Sequence, residues 1–278
     1  MKINVIIPVY NEEKIISDTI DKIESFIKDN DNYYFTFVND GSSDSSREII
    51  EKRINEIREK EEGKEEEAEE AGKEKNNEEK EEIEKINDGG KISLITYEKN
   101  RGKGHAVRTG FTESDADIVI FTDSDLAYGL LSVKRIAEEL IYGNEQLCVG
   151  SRNINREGYG EYSLLRRIAS KTYIKMLSVF GGLKLSDSQC GIKGYRNPWA
   201  KKIFSLCETD GFAFDYETIL IAEKMGLTVK EIPVKIINHN EGNSKVRVIS
   251  DSIKMLSDMR KIKKRVKKAK INKEKAKQ

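Results

Sequence analysis

The stretch VIIPVYNEE (residues 5–13) decides the fold class, because an apolar run rich in β-branched residues passes abruptly into polar residues. Residues 13–27 follow with isoleucines spaced as on one face of a helix. The same alternation of apolar run and amphipathic segment continues to residue 150. Strands that alternate with helices favour a parallel sheet with right-handed crossovers. The sequence therefore predicts an α/β fold with a mostly parallel central sheet flanked by helices.

The individual elements follow from the same periodicities. Strands are predicted at residues 3–8, 33–38, 92–97, 117–122, 146–150 and 228–236. Helices are predicted at residues 13–27, 45–57, 104–112, 133–142, 163–180, 214–224 and from 248 onward. The regular alternation ends at residue 150, so the second half is expected to depart from a simple repeat.

Charge is segregated along the 278 residues, although the formal net charge is zero. Residues 51–88 carry a net charge of about −8 and residues 254–278 one of about +10. Residues 58–88 are too polar to bury a core and are predicted to form a solvated insertion, either a charged helical hairpin or disordered. We expect one large domain over residues 1–250 and a basic amphipathic or solvated C-terminal helix and tail over residues 251–278.

Several protein classes are disfavoured by composition. The three scattered cysteines, with no CxxC pair, argue against a disulfide framework or a zinc site and suit a reducing cytosol. The N-terminal apolar run is too short for a signal peptide, and no run approaches the length of a membrane-spanning helix. No GxGxxG follows the first strand, which disfavours dinucleotide binding. Any membrane contact is therefore expected to be peripheral.

Polar clusters follow four of the predicted strands at the point where each strand ends. They read PVYNEE (8–13), NDGSSD (39–44), EKNRGKG (98–104) and DSD (123–125). Ligands of open α/β sheets bind in the crevice beyond the carboxyl ends of the strands. We therefore expect these four clusters to form a single site.

The DSD cluster carries the strongest chemical signal. Asp123 and Asp125 repel each other unless a cation or ligand lies between them. Carboxylate oxygens suit Mg²⁺ or Mn²⁺ that is also held by substrate phosphates, and a solvated acidic turn is the alternative. Asp40 before Gly41 suits either a tight turn or recognition of a nucleobase N–H. Lys103 between two glycines suits either a tight turn or contact with a diphosphate.

These motifs together resemble a known family. VIIPVYNEE, VNDGSSD, NRGKGHAVRTG and TDSDLAYG resemble, in order, the donor-site motifs of family-2 inverting glycosyltransferases with the GT-A fold. VGSRN (149–153), DSQCGIKGYR (187–196), FAFDYE (212–217), EIPV (231–234) and GNSKVR (242–247) are similar to the polyprenyl-phosphate branch, above all the dolichyl-phosphate glucosyltransferases and next the dolichyl-phosphate mannose synthases. The likeness covers most of residues 1–260.

The resemblance implies roles for individual residues. It implies that the nucleotide sugar is bound by Pro8, Tyr10, Glu12, Asp40, Lys103, Asp123 and Ser124. It implies that the acceptor phosphate is bound by Arg152, Arg167 and Ser170, and that Lys245 and Arg247 close over the phosphates. The catalytic group would comprise Asp125, Arg152, Arg167 and Asp187, with Asp123 and Asp125 as ligands of Mg²⁺ or Mn²⁺. Asp187 and Asp215 are each either a base or a positioning group, and a structural role is open for both.

The implied reaction is transfer of a hexose from a nucleotide sugar to a dolichyl or polyprenyl phosphate, with glucose and a UDP-sugar preferred. Such a product would feed protein or surface glycosylation. The mannose synthases tend to carry Gln two residues after the second aspartate of DSD, where this chain has Ala127, which cannot coordinate a metal. GDP-mannose as donor and a non-lipid acceptor in polysaccharide synthesis are the alternatives.

The implied acceptor places the protein at a membrane. A phosphate monoester is largely anionic at neutral pH, so the nucleophile needs little help from a base. The partners expected are a nucleotide sugar, a polyprenyl phosphate lipid and the cytoplasmic face of the cell membrane, and no nucleic acid. The segment 163–180 and the basic tail from Lys261 suit an interfacial position, with core packing and plain solvation as the alternatives. A basic-tailed protein that binds nucleic acid or an acidic partner is the non-enzymatic alternative.

Overall fold

The computed structural model describes residues 1–62, 83–87, 89–154, 182–183, 185–237, 248–269 and 271. Within these ranges the side chains of residues 61–62 and 248–256 are not described. The predicted helix at residues 163–180 and most of the predicted insertion therefore lie outside the described residues.

The centre of the molecule is an eight-stranded mixed sheet. Its strands are β1 (Ile3–Val9), β2 (Tyr33–Asp40), β3 (Glu84–Ile86), β4 (Ile92–Tyr97), β5 (Ile118–Thr122), β6 (Leu147–Ser151), β7 (Ile192–Arg196) and β8 (Val229–Pro233). Across the sheet they run in the order β3-β4-β2-β1-β5-β7-β6-β8. The pairs β1–β2, β2–β4, β1–β5 and β6–β8 are parallel. The pairs β3–β4, β5–β7 and β6–β7 are antiparallel.

Helices cover both faces of this sheet. They are α1 (Ile16–Ile27), α2 (Ser46–Glu62), α3 (Lys103–Glu113), α4 (Leu130–Tyr142), α5 (Trp199–Ser205), α6 (Phe214–Met225) and α7 (Val248–Lys268). Alternate residues of β1 enter two separate apolar clusters, Val5 and Ile7 with α1, α2 and α4, and Ile6 with α3, α5, α6 and α7. A strand that is apolar on both faces is the mark of a sheet covered on both sides. The prediction of an α/β fold with a helix-flanked sheet is confirmed.

The structure departs from the simple alternation at β7, which the periodicity did not predict. This strand inserts antiparallel between β5 and β6. Its sequence, IKGYR, places a lysine and a glycine where a buried strand normally carries apolar side chains. Gly194 is required by packing, since a Cβ there would lie 2.5 Å from a methyl carbon of Ile136 on α4. Helix α5, which follows β7, was also not predicted.

The predicted insertion at residues 58–88 is shorter than expected at both described ends. Helix α2 continues to Glu62, and Glu84–Ile86 form an edge strand that pairs with β4. An edge strand tolerates this polar sequence because one side of it faces solvent. Glu84 and Lys85 are exposed and only Ile86 is half-buried.

Helix α7 continues the core on the α6 side of the sheet. It begins at Val248, before the predicted boundary at residue 250, and its buried Met259, Ile262 and Val266 join the apolar cluster of α3, α5 and α6. Lys224 of α6 donates to the main-chain carbonyls of Val266, Lys267 and Ala269 at the end of α7. Over the described part of the chain, no helix is at once long enough and apolar enough to cross a bilayer.

Candidate active site

The polar clusters meet at one edge of the sheet, which we call the carboxyl edge. Strands β4, β2, β1 and β5 are adjacent and parallel, so their carboxyl ends lie side by side. Strands β6 and β8 are parallel to each other and antiparallel to β7, and β7 is antiparallel to β5. The ends of β6 and β8 and the start of β7 therefore lie at the same edge. The prediction that the four clusters converge is confirmed.

The loops after β1 and β2 are hydrogen-bonded to each other. The main-chain N–H of Ser43 donates to the side-chain oxygen of Asn11 over 2.8 Å, and that of Glu12 donates to the Ser46 hydroxyl oxygen over 2.7 Å. These bonds hold Glu12 close enough to Asp125 for its charge to act on that carboxyl. Tyr10 is 38% exposed and Pro8 is half-buried in β1.

Asp40, at the end of β2, organises the loop that leads into α3. Its carboxylate accepts hydrogen bonds of 2.8–2.9 Å from the Tyr97 hydroxyl, the Asn100 side-chain amide and the main-chain N–H groups of Arg101 and Gly102. Gly41 has φ +61, and a Cβ there would lie 2.5 Å from the nitrogen of Asn100. The structure thus gives Asp40 a role in shaping the loop before Lys103. Its predicted contact with a nucleobase stays a prediction.

Asp123 and Asp125 follow β5 in a tight turn. Burial raises the pKa of Asp125 to about 6, and the nearby carboxylates of Asp123 and Glu12 act in the same direction. The N–H of Ala127 donates to Asp125 over 2.9 Å, and the intervening Leu126 has φ 48. A positive φ is strained for a leucine, which indicates that the turn is held by its surroundings.

The other two residues assigned to this turn have defined partners. The ammonium group of Lys103, at the start of α3, donates to one oxygen of Asp123. Ser124 is buried, and its carbonyl oxygen accepts a bond of 2.7 Å from the Thr19 hydroxyl of α1. The side-chain hydroxyl of Ser124 therefore lies below the surface of the turn.

The donor set fits a divalent cation. A buried carboxyl group whose pKa is raised by a neighbouring carboxylate gains from a positive ion beside it. Hard oxygen ligands of this kind hold Mg²⁺ or Mn²⁺ together with substrate phosphates. The described ranges, this turn included, hold no cluster of three or more His, Cys, Asp or Glu side chains suited to a metal, so substrate phosphates would have to complete the ligand set.

Arg152 and Asp187 form a buried bidentate ion pair beside this turn. The Nε and Nη2 atoms of Arg152 donate to the two carboxylate oxygens of Asp187 over 2.7 and 2.9 Å, and its main-chain N–H adds a bond of 3.1 Å. Asp187 has no exposed side-chain area. Glu231 of β8 fixes the same segment by accepting from the N–H groups of Ser186 and Asp187. The structure therefore makes Asp187 the anchor of Arg152.

A second buried ion pair joins Lys193 of β7 to Asp215 of α6. Burial raises the pKa of Asp215, and the ammonium groups of Lys193 and Lys103 oppose the rise. Lys193 was not among the predicted site residues, and the only signal for it is a lysine inside the strand-like run of DSQCGIKGYR. Gln189 was missed as well, and its buried side-chain nitrogen has no hydrogen-bond partner within the residues described.

Four of the residues predicted to bind the acceptor or the phosphates lie outside the described residues: Arg167, Ser170, Lys245 and Arg247. Before the last two, the described chain ends next to the DSD turn. The N–H of Ile237, the last described residue before position 238, donates to the Ala127 carbonyl over 2.8 Å. Their roles stay predictions.

Known proteins share the sequence pattern of this chain. The model of the family "Glycosyl transferase family 2" matches residues 4–66 and 74–204. A dolichyl-phosphate β-glucosyltransferase of Saccharomyces cerevisiae is 27% identical over 92% of this chain and 72% of the relative. A UDP-N-acetylglucosamine–dolichyl-phosphate N-acetylglucosaminyltransferase of Methanococcus voltae is 26% identical over 84% of this chain and 85% of the relative.

Solved structures share the fold. Glucosyl-3-phosphoglycerate synthase from Mycobacterium tuberculosis, crystallised with Mn²⁺, UDP and glucosyl-3-phosphoglycerate, superposes with a TM-score of 0.59 over 95% of this chain and 79% of that one. Its sequence is 17% identical, so the comparison concerns the fold, which is the GT-A fold. With a helix-flanked mixed sheet, polar loops at its carboxyl edge and a family match over most of its length, the chain belongs to glycosyl transferase family 2 and is a glycosyltransferase.

Proposed function

We propose that this protein transfers a hexose, with glucose preferred, from a UDP-sugar to a dolichyl or polyprenyl phosphate, with inversion at the anomeric carbon. The named activities of its relatives from yeast and Methanococcus voltae support a lipid phosphate as acceptor. The product would feed protein or surface glycosylation.

The observation that carries the proposal is the state of the two candidate bases. Asp187 is bound on both oxygens by Arg152, and Asp215 is bound by the buried ammonium group of Lys193. A carboxylate held in this way is poorly placed to take a proton from an acceptor hydroxyl, since losing its charge would leave a buried cation uncompensated. A phosphate acceptor avoids the need, because its second pKa near 6 leaves it largely anionic at neutral pH.

The proposed reaction uses residues that the structure describes. An oxygen of the lipid phosphate forms a bond to the anomeric carbon, while the bond from that carbon to the nucleoside diphosphate breaks and its electron pair leaves with the diphosphate. Arg152, oriented by Asp187, would hold the acceptor phosphate in line, which lowers the barrier through positioning. The side-chain amide nitrogen of Gln189, which has no partner in the described part of the chain, suits a further ligand oxygen. Asp123 and Asp125 would hold Mg²⁺ or Mn²⁺, which stabilises charge on the leaving diphosphate.

The donor follows from finer features. The main chain of Ala127 binds Asp125 and Ile237, and its methyl group offers no ligand at the position where mannose synthases tend to carry Gln. This favours a UDP-sugar over GDP-mannose. The two curated relatives differ in the sugar that their names give, glucose and N-acetylglucosamine, so a donor comparison decides this point.

A lipid acceptor requires access to a bilayer surface. Helix α7 presents exposed basic residues opposite its buried apolar face: Arg260, Lys261, Lys263, Lys264, Lys267 and Lys268. Basic residues near an anionic membrane contribute about 1 kcal/mol each to association. We therefore place the protein peripherally at the cytoplasmic face of the cell membrane.

The test is a transfer assay with separated phases. The purified protein is incubated with Mn²⁺, detergent-dispersed polyprenyl phosphate and radiolabelled UDP-glucose, UDP-N-acetylglucosamine or GDP-mannose, and then extracted with organic solvent. Label in the organic phase, highest with UDP-glucose, is the expected result. The same lipid without its phosphate is the matched control and should give no organic label. Label that stays in the aqueous phase with every donor would contradict the lipid acceptor.

A further inference from the structure

Lys193 and Asp215 form an ion pair that is almost completely buried. The Lys193 side chain has no exposed area and that of Asp215 is 8% exposed. Besides Asp215, the Lys193 ammonium group donates to the carbonyl oxygen of Cys190 over 2.8 Å. Replacing such a pair by apolar residues of similar volume is often neutral or stabilising, so stability alone is a weak reason for its presence.

The pair is connected to the DSD turn through Phe121. The ammonium groups of Lys193 and Lys103 lie 5.3 and 5.8 Å from the centroid of this one ring, each within the range of a cation–π contact. Lys103 in turn donates to Asp123. Asp215 is the negative charge that accompanies two ammonium groups around the ring, and it acts on Lys103 as well as on Lys193. Asp215, together with the Asp123 carboxylate bound to Lys103, offsets the repulsion between the two like charges at Phe121.

A second connection runs through the main chain at the start of β7. The carbonyl that Lys193 holds belongs to Cys190, and the next residue, Gly191, lies directly against Asp123. A Cβ on Gly191 would lie 2.1 Å from the Oδ2 atom of Asp123. Asp123 is therefore bounded on one side by Lys103 and on the other by the Gly191 main chain. Both boundaries lead back to Lys193.

We infer that the Lys193–Asp215 pair is a positioning device that fixes Lys103 and Gly191, and through them the Asp123 carboxylate, for the diphosphate of the sugar donor. Neither member of the pair touches the donor in this assignment. When a diphosphate binds, the Lys103 ammonium group gains a second anionic partner, and Asp215 keeps it at the edge of Phe121 during that exchange. The inference rests on the proposed use of a nucleoside diphosphate sugar.

The experiment measures nucleotide binding and stability separately. In Lys193→Met/Asp215→Leu, apolar residues of similar volume replace the pair, and the folded state is checked by its thermal unfolding midpoint. Titration calorimetry with UDP, with and without Mn²⁺, gives the dissociation constant. We expect an unfolding midpoint close to that of the wild type and a UDP dissociation constant in Mn²⁺ raised roughly 10- to 100-fold, the range found when outer partners of metal ligands are removed.

Two further proteins complete the test. Asp215→Asn keeps an oxygen acceptor for Lys193 but removes the charge. It should also raise the dissociation constant of UDP, and it serves as the test if the double variant does not fold. Lys201→Met/Asp115→Leu removes an exposed ion pair before β5, at the opposite end of the sheet, and should leave UDP binding unchanged.

The possible outcomes distinguish the proposed function from the positioning role of the pair. A wild-type protein that binds neither UDP nor GDP with Mn²⁺ would remove the basis of the proposed function. A wild type that binds UDP, beside a folded pair variant or Asp215→Asn that binds it equally well, would overturn the positioning role alone.

Discussion

The aspartates at the carboxyl edge lie in two regions that differ in the charges around their carboxylates. In the DSD turn the pKa of Asp125 rises to about 6, through burial first and the negative charge of Asp123 second. Asp187 and Asp215, beside β7, each face a buried cation that satisfies the charge, Arg152 and Lys193 respectively.

This difference explains how one edge of the sheet can bind two negatively charged substrates. The DSD turn, where Asp123 binds the Lys103 ammonium group and Asp125 lies close to two further carboxylates, gains from a divalent cation and so suits the donor diphosphate. In the proposed reaction Asp187 holds Arg152 in place for a second phosphate, whereas the buried Lys193 acts only through its neighbours. The same substitution, Asp to Asn, should therefore have different consequences in the two regions.

The largest effect is expected at the DSD turn. Asp125→Asn should lower transfer by at least about 1,000-fold, or about 4 kcal/mol in the activation free energy, because a ligand of the cation is lost. Its unfolding midpoint without metal should be unchanged or higher, since a repulsive buried charge is removed. Asp117→Asn, at the other end of β5, is the matched control and should retain activity. Near-normal turnover of Asp125→Asn would contradict the metal-binding role of the DSD turn.

Beside β7 we expect a smaller loss of activity and a larger loss of stability. Asp187→Asn leaves Arg152 buried without its counter-charge, which should lower the free energy of unfolding by about 3–5 kcal/mol. The Michaelis constant for the lipid phosphate should rise while the dissociation constant of UDP changes little. Denaturant unfolding and transfer kinetics check both. Full stability combined with a fall in turnover alone would instead identify Asp187 as a base.

The smallest effect on chemistry is expected outside both regions. Changing Lys261, Lys264 and Lys268 to Gln should weaken binding to vesicles of anionic lipid by up to about 3 kcal/mol, with turnover in detergent unchanged. Substitution is preferable to truncation, because Ile262 and Val266 of the same helix are buried. Changing Lys22, Lys52 and Lys60 to Gln, on the opposite face of the sheet, is the matched control. Equal vesicle sedimentation by all three proteins would exclude a role for α7.

Much of the donor side follows from local patterns. The strands β1, β2, β4 and β5 were predicted within one or two residues at most ends, because each is an apolar run followed by a polar cluster. The parallel order then places their ends together. What the pattern could not reveal is the internal bonding of the clusters, such as the four donors that occupy Asp40 and shape the loop before Lys103.

Local sequence patterns were enough to predict the α/β class, the carboxyl edge as the place of the candidate site and the pairing of Asp123 with Asp125, since each depends on residues close together in the chain. Only the tertiary structure decided that β7 enters the sheet antiparallel, and that Arg152 meets Asp187 and Lys193 meets Asp215. The members of these pairs stand 35 and 22 positions apart. A charge can be buried only where the fold brings its counter-charge, and no local periodicity records that meeting.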